Sequence, residues 1–257
     1  MPPKTALITG VSSGIGRACA ELFAEHGFDV VGLDVNVPNE QTSAILTRFV
    51  RVDLADHNET EKAVADALKA SPLDGSLDAL VNAAGIHCFK TVHETSVEEF
   101  DRVLAVNTRA PWLLAKLCER ALASSPAGCI VNVSSVHACR AKSAKRSAYT
   151  ASKSALSGLT AQLAVEFGAT SGIRVNAVEP GAVRTQMMLD HLNHENPSPI
   201  PTEQRLEQLA SENGLVKRMA EPREIAEAVY FLADAEQSAF ITGECLTVDG
   251  GVICKLT

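Results

Sequence analysis

The sequence has no cysteine pair with the spacing of a zinc ribbon or a redox dithiol. Its seven cysteines are scattered, and none stands in a CxxC pair. Several lie in apolar runs, where cysteine packs as a small apolar side chain. We therefore expect reduced thiols and a cytoplasmic location. His191 and His194 have no third ligand at a suitable spacing, so we predict no metal site.

The chain also lacks a long apolar run, a linker and an excess of positive charge. None of its apolar stretches is long enough to span a membrane, and the first strand candidate follows Met1 closely, so we expect neither a membrane segment nor a signal peptide. A formal net charge of -8 argues against a nucleic-acid partner. No linker divides the 257 residues, so we predict a single domain over residues 1–257.

Apolar runs that alternate with helical patterns are present instead, and they predict βαβ units. We expect an α/β fold with a doubly wound, mostly parallel seven-stranded sheet and helices on both faces. The strand candidates are Thr5–Thr9, Asp29–Leu33, Phe49–Val52, Ala79–Asn82, Cys129–Val133, Arg174–Val178 and Leu246–Val248. The helix candidates are Ile15–His26, Glu59–Ala70, Val97–Ala123, Ala148–Gly168 and Pro222–Ala233.

Residues 187–214 interrupt this alternation. They contain three prolines and no strand candidate, and only a short helical pattern over Glu203–Glu212. A long excursion after the carboxyl end of a strand is typical of a loop that covers a ligand. We predict a substrate-binding lid here.

The turn after the first strand candidate is rich in glycine. Gly10, Gly14 and Gly16 lie between an apolar strand and a helix, where helix N–H groups bind phosphate and a missing Cβ lets a ligand approach. The GxxxGxG spacing differs from the GxGxxG dinucleotide fingerprint. Asp34 ends the second strand candidate 18 residues after Gly16, and a carboxylate there can accept hydrogen bonds from ribose hydroxyls and repel a 2′-phosphate.

We therefore predict NAD(H) rather than NADP(H), although Asp34 could also be an ordinary turn residue. Arg17 could attract a 2′-phosphate, but it lies one residue inside the helix. Asp53-Leu54, after the third strand candidate, could hydrogen-bond the adenine amine. At the end of the fourth strand candidate lie Asn82, Ala83, Ala84 and Gly85, whose small side chains permit close approach of the backbone to a cofactor.

A phenol and an ammonium lie one helical turn apart at Tyr149 and Lys153. A free tyrosine has a pKa of about 10, and a cation beside it stabilises the phenolate. Such a pair can take the proton of an alcohol during hydride transfer, or return it in the reverse direction. The sequence therefore predicts acid–base chemistry beside a dinucleotide.

Taken together, these segments resemble the short-chain dehydrogenase/reductase family over nearly the whole chain. The matching pieces are Thr9–Gly16, Asp53, Asn82–Gly85, Asn107, Val133-Ser134-Ser135, Tyr149–Lys153, Asn176 through Pro180-Gly181 to Thr185, and Asp249-Gly250-Gly251. The resemblance implies a Rossmann fold, a nicotinamide cofactor and a homo-oligomer, either a dimer or a tetramer. The helices Val97–Ala123 and Ala148–Gly168 are then the candidate interfaces.

The resemblance also implies the roles of individual residues. It assigns catalysis to Asn107, Ser135, Tyr149 and Lys153, with Ser135 steadying the substrate oxygen. It assigns cofactor contacts to Gly10, Ser12, Ser13, Gly14, Ile15, Gly16, Asp34, Asp53, Leu54, Asn82, Ala83, Ala84, Gly85, Tyr149, Lys153, Pro180, Gly181, Val183 and Thr185. The 14-residue spacing from Ser135 to Tyr149 is one longer than the family pattern, so Ser134 stays an alternative.

Pro111 adds a physical reason for the role of Asn107. Proline has no N–H, so the carbonyl of Asn107 loses its usual helical partner and could hold a water that relays protons from Lys153. The alternative is that Pro111 kinks the helix for packing alone. The neighbouring Trp112 we expect in the core or at a subunit contact.

The segment before Tyr149 is basic in an otherwise acidic chain. It contains His137, Arg140, Lys142, Lys145 and Arg146, which predicts an anionic substrate such as a hydroxy or keto acid. The alternative is a solvated or subunit-contacting loop.

Substrate contacts are expected from Ser135, His137, Arg146, Tyr149 and Met187, with Met187 excluding water. The predicted function is an NAD(H)-dependent oxidoreductase that interconverts a secondary alcohol and a ketone. A carrier-linked 3-oxoacyl reductase and a non-catalytic dinucleotide-binding regulator are the alternatives.

Overall fold

Seven parallel strands form one sheet in the part of the chain that the structure describes. The computed structural model describes residues 3–70, 73, 75–140, 144–195 and 202–254. The strands are β1 (Thr5–Thr9), β2 (Asp29–Asp34), β3 (Arg48–Arg51), β4 (Ala79–Asn82), β5 (Cys129–Val133), β6 (Arg174–Pro180) and β7 (Cys245–Val248). Their order is β3-β2-β1-β4-β5-β6-β7, and neighbouring strands pair in parallel. The predicted doubly wound Rossmann architecture is confirmed.

Helices cover both faces of this sheet. They are α1 (Gly14–Glu25), α2 (Glu40–Ile45), α3 (His57–Leu68), α4 (Val97–Leu104), α5 (Ala110–Ala123), α6 (Ser147–Thr170), α7 (Gln186–Glu195), α8 (Thr202–Asn213), α9 (Pro222–Ala233) and α10 (Ala235–Ser238). Side chains alternate along β1, so that Leu7 packs toward α3, α5 and α6, whereas Ala6 and Ile8 pack toward α1 and α9. Two apolar clusters thus hold the sheet between its helices.

Most predicted boundaries lie within a residue or two of the observed ones. The prediction for β3 was shifted by one residue, because Arg48 and Arg51 do not read as apolar strand positions. The short helix α2 was not predicted, since Thr42 is its one buried residue; Asn39 caps it by accepting a hydrogen bond from the Thr42 N–H at 2.8 Å. The single turn of α10 was also missed.

The predicted lid contains two helices rather than one. Thr202–Asn213 forms α8 near the expected place, but Gln186–Glu195 also forms a helix, α7, that was not predicted. Leu192 of α7, Leu206 of α8 and Met219 form a small apolar cluster of their own. Residues 196–201 lie outside the described residues, as do the side chains of His191 and His194.

The predicted helix Val97–Ala123 is interrupted in its middle. Residues Ala105–Arg109 form a π-helical segment between α4 and α5, and Pro111 lies in the first turn of α5. The N–H of Ala110 bonds the carbonyl of Ala105, which is the i to i+5 spacing of a π-helix. The expected local irregularity is therefore a π-bulge that contains Asn107.

The order of the strands decides where the site lies. The chain leaves β1 for β2 on one side and later returns to β4 on the other side of β1, so a crevice opens beyond the carboxyl ends of β1 and β4. Among the described helices, none is long and apolar enough to cross a bilayer.

Candidate active site

The glycine-rich turn lies at the carboxyl end of β1, directly before α1. Gly10 has a φ of 77°, and a Cβ on it would come within 2.9 Å of the Ala84 backbone. A Cβ on Gly16 would lie 2.2 Å from the Gly10 carbonyl oxygen. Any side chain at either position would therefore push apart the turn, α1 and the end of β4.

The amino end of α1 is suited to an anionic group. Ser13, its N-cap, makes no side-chain capping hydrogen bond to the described residues, and the first turn carries no acidic residue. Helix N–H groups without a protein partner, together with the helix dipole, favour phosphate. Gly14, with a φ of 54°, packs against Thr185, which joins this turn to the segment after β6. These residues fit the pyrophosphate of a dinucleotide.

The carboxylate of Asp34 lies beside the same turn, at the end of β2. It accepts hydrogen bonds from the N–H of Ser12 at 3.0 Å and from the N–H of Asn36 at 2.9 Å. The Ser12 hydroxyl donates to the Asn36 carbonyl at 2.6 Å. Asp34 is thus held in place at the position where a ribose would lie beside the glycine turn.

The side chain of Asp53 already has protein partners. Its carboxylate accepts from the N–H of Ala55 at 2.9 Å and from Arg102 of α4 at 3.0 Å, and the neighbouring Leu54 is buried. Arg109, in the π-helical segment, reaches the Ala55 carbonyl. The two arginines therefore bring the π-bulge region against the segment expected to contact adenine.

The last residue of β4 has a buried side-chain amide, and the residues that follow it are small. Asn82 donates to the Asn132 side chain at 2.8 Å, inside the sheet, while its own Oδ1 finds no hydrogen-bond partner among the described residues. The Thr9 hydroxyl accepts from the N–H groups of Ala83 and Ala84. This links the ends of β1 and β4 and leaves Gly85 at the mouth of the crevice.

Asn107 is fully buried in the π-bulge and holds three segments together. Its Oδ1 accepts from the Ile86 N–H at 2.9 Å, and its Nδ2 donates to the Ile86 carbonyl at 2.9 Å and to the Ser152 hydroxyl at 3.0 Å. Ser152 donates in turn to the Tyr149 carbonyl at 2.7 Å. The π-bulge is thereby connected to the loop after β4 and to the first turns of α6.

Tyr149 and Lys153 project from α6 into one cavity. The Lys153 amine lies 5.8 Å from the centre of the Tyr149 ring and donates to the Val133 carbonyl at 2.7 Å. Lys153 is only 4% exposed, and burial lowers its pKa from 10.5 to about 8. Burial also raises the pKa of Tyr149, while a hydrogen bond from Ser135 and the charge of Arg146 act in the opposite direction.

The two candidate serines face different partners. Ser134 is buried, and its hydroxyl donates to the Lys153 carbonyl at 3.1 Å and contacts the Ser157 hydroxyl at 2.9 Å. Ser135 lines the same cavity as Tyr149, opposes by hydrogen bonding the rise that burial causes in the pKa of that phenol, and precedes a short 3₁₀ turn over Val136–Ala138. This geometry favours Ser135 over Ser134 as the partner of a substrate oxygen.

A cavity of about 340 Å³ brings most of these residues together. We call its polar and aromatic lining residues the polar wall and its apolar lining residues the apolar wall. The polar wall contains Ser135, His137, Arg146, Tyr149 and Lys153, together with His87 and Phe89; the apolar wall contains Met187, Met188, Leu209, Met219 and Val252. Ile15, Gly85, Pro180, Gly181, Val183 and Thr185 connect the cavity to the glycine-rich turn.

The segment after β6 closes this connection. Gly181 donates to the Val248 carbonyl at 3.0 Å, and Val183 forms a β-bridge with Ala220. A Cβ on Gly181 would lie 2.8 Å from the Asp249 Cα, so the chain can turn here only with glycine. Thr185 is thereby placed over Gly14.

His87 and Phe89 are site residues that the sequence did not indicate. The His87 ring stacks on Tyr149 with centroids 4.4 Å apart and on Phe89 with centroids 3.8 Å apart. Arg146 approaches the His87 Nε2 at 3.3 Å. The loop after β4 has no strand or helix pattern to mark it, so only folding reveals this stack. Residues 141–143, which include Lys142 of the basic segment, lie outside the described residues.

Trp112 is not in the core, contrary to one of the two expectations. It is 44% exposed and lines a second, open groove of about 770 Å³ between the π-bulge region and α6. Leu104, Thr108 and Leu159 line the same groove. This face of the described structure is also the one that carries both candidate interface helices.

Comparisons with known proteins agree with this geometry. A family model described as enoyl-(acyl carrier protein) reductase matches residues 10–253. An uncharacterized oxidoreductase of Thermotoga maritima is 36% identical over 255 residues, which cover 96% of both chains.

Two kinds of solved structure show the same fold over nearly their full length. Aldohexose dehydrogenase of Thermoplasma acidophilum has a TM-score of 0.89 and 32% identity, and the match covers 99% of this chain and 95% of that chain. A 4-hydroxyisoleucine dehydrogenase complexed with NADH has a TM-score of 0.83 and 33% identity, covering 98% and 100%. A mutant of the latter was solved with NADH and succinate, at 34% identity, a TM-score of 0.83 and coverage of 99% and 100%.

Proposed function

The chain belongs to the short-chain dehydrogenase/reductase family and is an oxidoreductase, and we propose that it interconverts a secondary alcohol and a ketone with NAD(H). The observation that carries the proposal is the cavity that Ser135, Tyr149 and the buried Lys153 line together, next to the glycine-rich turn. A dinucleotide-binding regulator would need the turn but not this acid–base group.

Each residue of the polar wall has a distinct part in the proposed reaction. Tyr149 takes the proton of the substrate hydroxyl during oxidation and donates it back during reduction. Ser135 donates a hydrogen bond to the substrate oxygen. With a pKa of about 8, Lys153 is mostly protonated at pH 7, so its positive charge stabilises the Tyr149 phenolate. When bound, an oxidised nicotinamide dinucleotide supplies the hydride acceptor and a further positive charge.

Asn107 acts on this group from the π-bulge. Its amide holds Ser152, and Ser152 holds the Tyr149 backbone, so the first turn of α6 is fixed relative to the loop after β4. Pro111 has no N–H to donate to the Asn107 carbonyl, which could instead accept a hydrogen bond from a water. We propose that such a water connects the Lys153 amine to solvent.

NAD(H) is favoured over NADP(H) by the position of Asp34. Its carboxylate is anchored by two backbone N–H groups, so it cannot easily turn away from the ribose site. A 2′-phosphate there would meet a fixed negative charge. Thermal-shift measurements with the four cofactors test this, and stabilisation by NADPH alone would overturn the assignment.

The substrate we propose carries an anionic group. Arg146 lines the cavity and pairs with His87, and His137 lies on the same wall. Arginine binds carboxylates through charge-assisted hydrogen bonds. The apolar wall of Met187, Met188 and Met219 suits the carbon chain of the same molecule. Two structural neighbours support this choice, since one acts on a hydroxylated amino acid and its mutant was solved with a dicarboxylate.

A carrier-linked 3-oxoacyl reductase is the second candidate function. The description of the matching family model, enoyl-(acyl carrier protein) reductase, supports a carrier-linked substrate, although an enoyl reductase reduces a carbon–carbon double bond rather than a ketone. Arg140, exposed near the cavity, could bind the phosphate of a carrier arm. A turnover assay that offers 3-oxoacyl carrier thioesters beside hydroxy and keto acids separates the two candidates.

We also propose a cytoplasmic homo-oligomer, either a dimer or a tetramer. The cysteines are all free, which suits a reducing compartment. The groove beside Trp112 exposes apolar side chains on the face that carries α4, α5 and α6, and an exposed aromatic residue of this kind is typical of subunit contacts.

The deciding experiment is a turnover assay at 340 nm. Secondary alcohols, hydroxy acids, keto acids and 3-oxoacyl carrier thioesters are offered with NAD(H) or NADP(H), using wild type and Tyr149→Phe. We expect wild type to turn over a hydroxy acid with NAD⁺, and Tyr149→Phe to lose about 10²- to 10⁴-fold in kcat. NADH should still raise the Tm of Tyr149→Phe. Turnover that survives without the phenol would refute the proposed role of Tyr149.

Arg146→Met tests the anionic substrate separately. We expect its KM for the hydroxy acid to rise about 10- to 100-fold, since a hydrogen bond to a charged group is worth about 1.5–3 kcal/mol. Arg140→Met is the matched control, because Arg140 belongs to the same basic segment but is outside the cavity lining. Equal KM values in the two variants would contradict the proposal.

A further inference from the structure

A buried carboxylate that the proposed reaction does not use lies at the end of β6. Glu179 is 2% exposed and comes directly before Pro180-Gly181, which line the cavity. A buried carboxylate is costly unless hydrogen-bond donors surround it. Glu179 therefore needs donors from the elements that surround it.

Two donors from different elements meet on this carboxylate. The Cys139 thiol donates to one oxygen at 2.8 Å, and the Ser157 hydroxyl of α6 donates to the other oxygen at 2.8 Å. We call these three residues the Glu179 cluster. Cys139 is itself exposed, so its side chain covers the carboxylate from the solvent.

The cluster connects the two elements that carry the proposed reacting groups. Cys139 directly follows the 3₁₀ turn Val136–Ala138, which begins at Ser135. Ser157 lies on α6, two turns after Tyr149, and its hydroxyl also contacts Ser134 at 2.9 Å. Glu179 thus lies between the Ser135 turn and α6 and is bonded to both.

The hydrogen bond between Cys139 and Glu179 changes the pKa of the thiol. The hydrogen bond to Glu179 raises the pKa of the Cys139 thiol to about 11, so the thiol stays protonated and remains a donor at neutral pH. The Ser135 turn is therefore held by Glu179 through Cys139 and by Ser154 of α6, whose hydroxyl donates to the Ala138 carbonyl at 2.9 Å.

From this geometry we propose that Glu179 is a positioning residue, which acts through Cys139 and Ser157 to keep the Ser135 hydroxyl within hydrogen-bond distance of Tyr149. This deepens the proposed function and rests on it for its catalytic meaning. Without the cluster, the turn keeps the hydrogen bond from the Ser154 hydroxyl of α6 to the Ala138 carbonyl at 2.9 Å but loses the one at Cys139, so the Ser135 hydroxyl is held less firmly toward the phenol.

The experiment compares Cys139→Ser, which keeps a donor for Glu179, with Cys139→Ala, which removes it. The sequence has two tyrosines, so a Tyr230→Phe background leaves Tyr149 as the sole phenol. Its ionisation can then be followed by ultraviolet absorbance near 295 nm, with no dependence on turnover. Circular dichroism and Tm verify that each variant is folded.

We expect the Tyr149 titration of Cys139→Ala to move upward by about one pH unit, which corresponds to loss of one hydrogen bond to the phenolate. Cys139→Ser should titrate like the parent. The kcat of Cys139→Ala should fall about tenfold at pH 7, with an unchanged KM for the cofactor. Glu179→Gln, which keeps the size of the side chain, should shift the titration in the same direction.

Equal titrations of Cys139→Ala and Cys139→Ser would overturn the proposal, even if both lost stability. A parent protein that reduces or oxidises none of the compounds in the turnover panel would instead contradict the proposed function. The Tyr149 titration would still decide, in that case, whether Glu179 positions Ser135.

Discussion

The buried amine of Lys153 leads to a prediction in which stability and activity change in opposite directions. The side chain is enclosed beneath Tyr149, and burial lowers its pKa from 10.5 to about 8. The folded protein therefore binds this proton more weakly than the unfolded chain does. Lys153→Met fills similar space without an amine, and we expect it to be more stable at pH 7 but inactive.

The size of the effect follows from the shift in pKa. A fall from 10.5 to about 8 corresponds to about 3 kcal/mol of lost stability at pH 7. The variant also loses the hydrogen bond from Lys153 to the Val133 carbonyl, which costs about 1–2 kcal/mol. The expected net gain for Lys153→Met is therefore about 1–2 kcal/mol at pH 7.

The lowered pKa of Lys153 also fixes how the free energy of unfolding of wild type changes with pH. Between about pH 8 and pH 10.5 the unfolded chain binds more protons at Lys153 than the folded protein, so wild-type stability rises with pH. The penalty is full below that window and disappears above it. The advantage of Lys153→Met should shrink by about 2 kcal/mol between pH 7 and pH 9.5.

Urea unfolding followed by circular dichroism at pH 7, 8, 9 and 9.5 measures this difference. Lys62→Met is the matched control, since it removes an ammonium from an exposed position on α3. A difference between wild type and Lys153→Met that does not change with pH would refute the reasoning. It would mean that the amine has the same pKa in the folded protein as in the unfolded chain, as a well-solvated lysine does.

Two further predictions concern the residues around this amine. Ser135→Ala should lower kcat about 10²- to 10³-fold, as expected for loss of a donor to the reacting oxygen. Ser134→Ala should instead lower the free energy of unfolding by about 1–3 kcal/mol with little change in kcat, and the reverse ranking in kcat would restore Ser134 as the donor. In Pro111→Ala, residue 111 regains an N–H that can donate to the Asn107 carbonyl, so the π-bulge should relax toward an α-helix. Turnover should then slow and show a larger solvent isotope effect. Unchanged kinetics and an unchanged isotope effect would count against the proton relay.

Strong local patterns account for how much of the fold was predictable. Thr5–Thr9 and Pro222–Ala233 were predicted at their observed boundaries, because a continuous apolar run and a regular apolar periodicity leave little choice. The missed helices α2 and α7 present few buried residues, and α7 owes its order to contacts with α8. Their patterns are therefore too weak to stand out in the sequence.

Some residues of the candidate site were predictable from the sequence, and others were not. Glycines that face a backbone within 3 Å, and a phenol one turn from an amine, are set by short-range geometry, so the sequence alone indicated them. The choice between Ser134 and Ser135 needed the direction in which each hydroxyl points. Adjacent residues at a strand end face opposite sides, and no spacing rule states which side carries the substrate.

The sequence by itself determined the alternation of strands and helices, the phosphate-binding turn and the acid–base pair, since each depends on residues close together in the chain. Only the tertiary structure decided that His87 stacks on Tyr149, that Asn107 hydrogen-bonds Ile86 and Ser152, and that Glu179 joins Cys139 to Ser157. These contacts join residues that are far apart in sequence. The packing of the sheet and helices determines which of these residues meet, and local sequence patterns do not predict that packing.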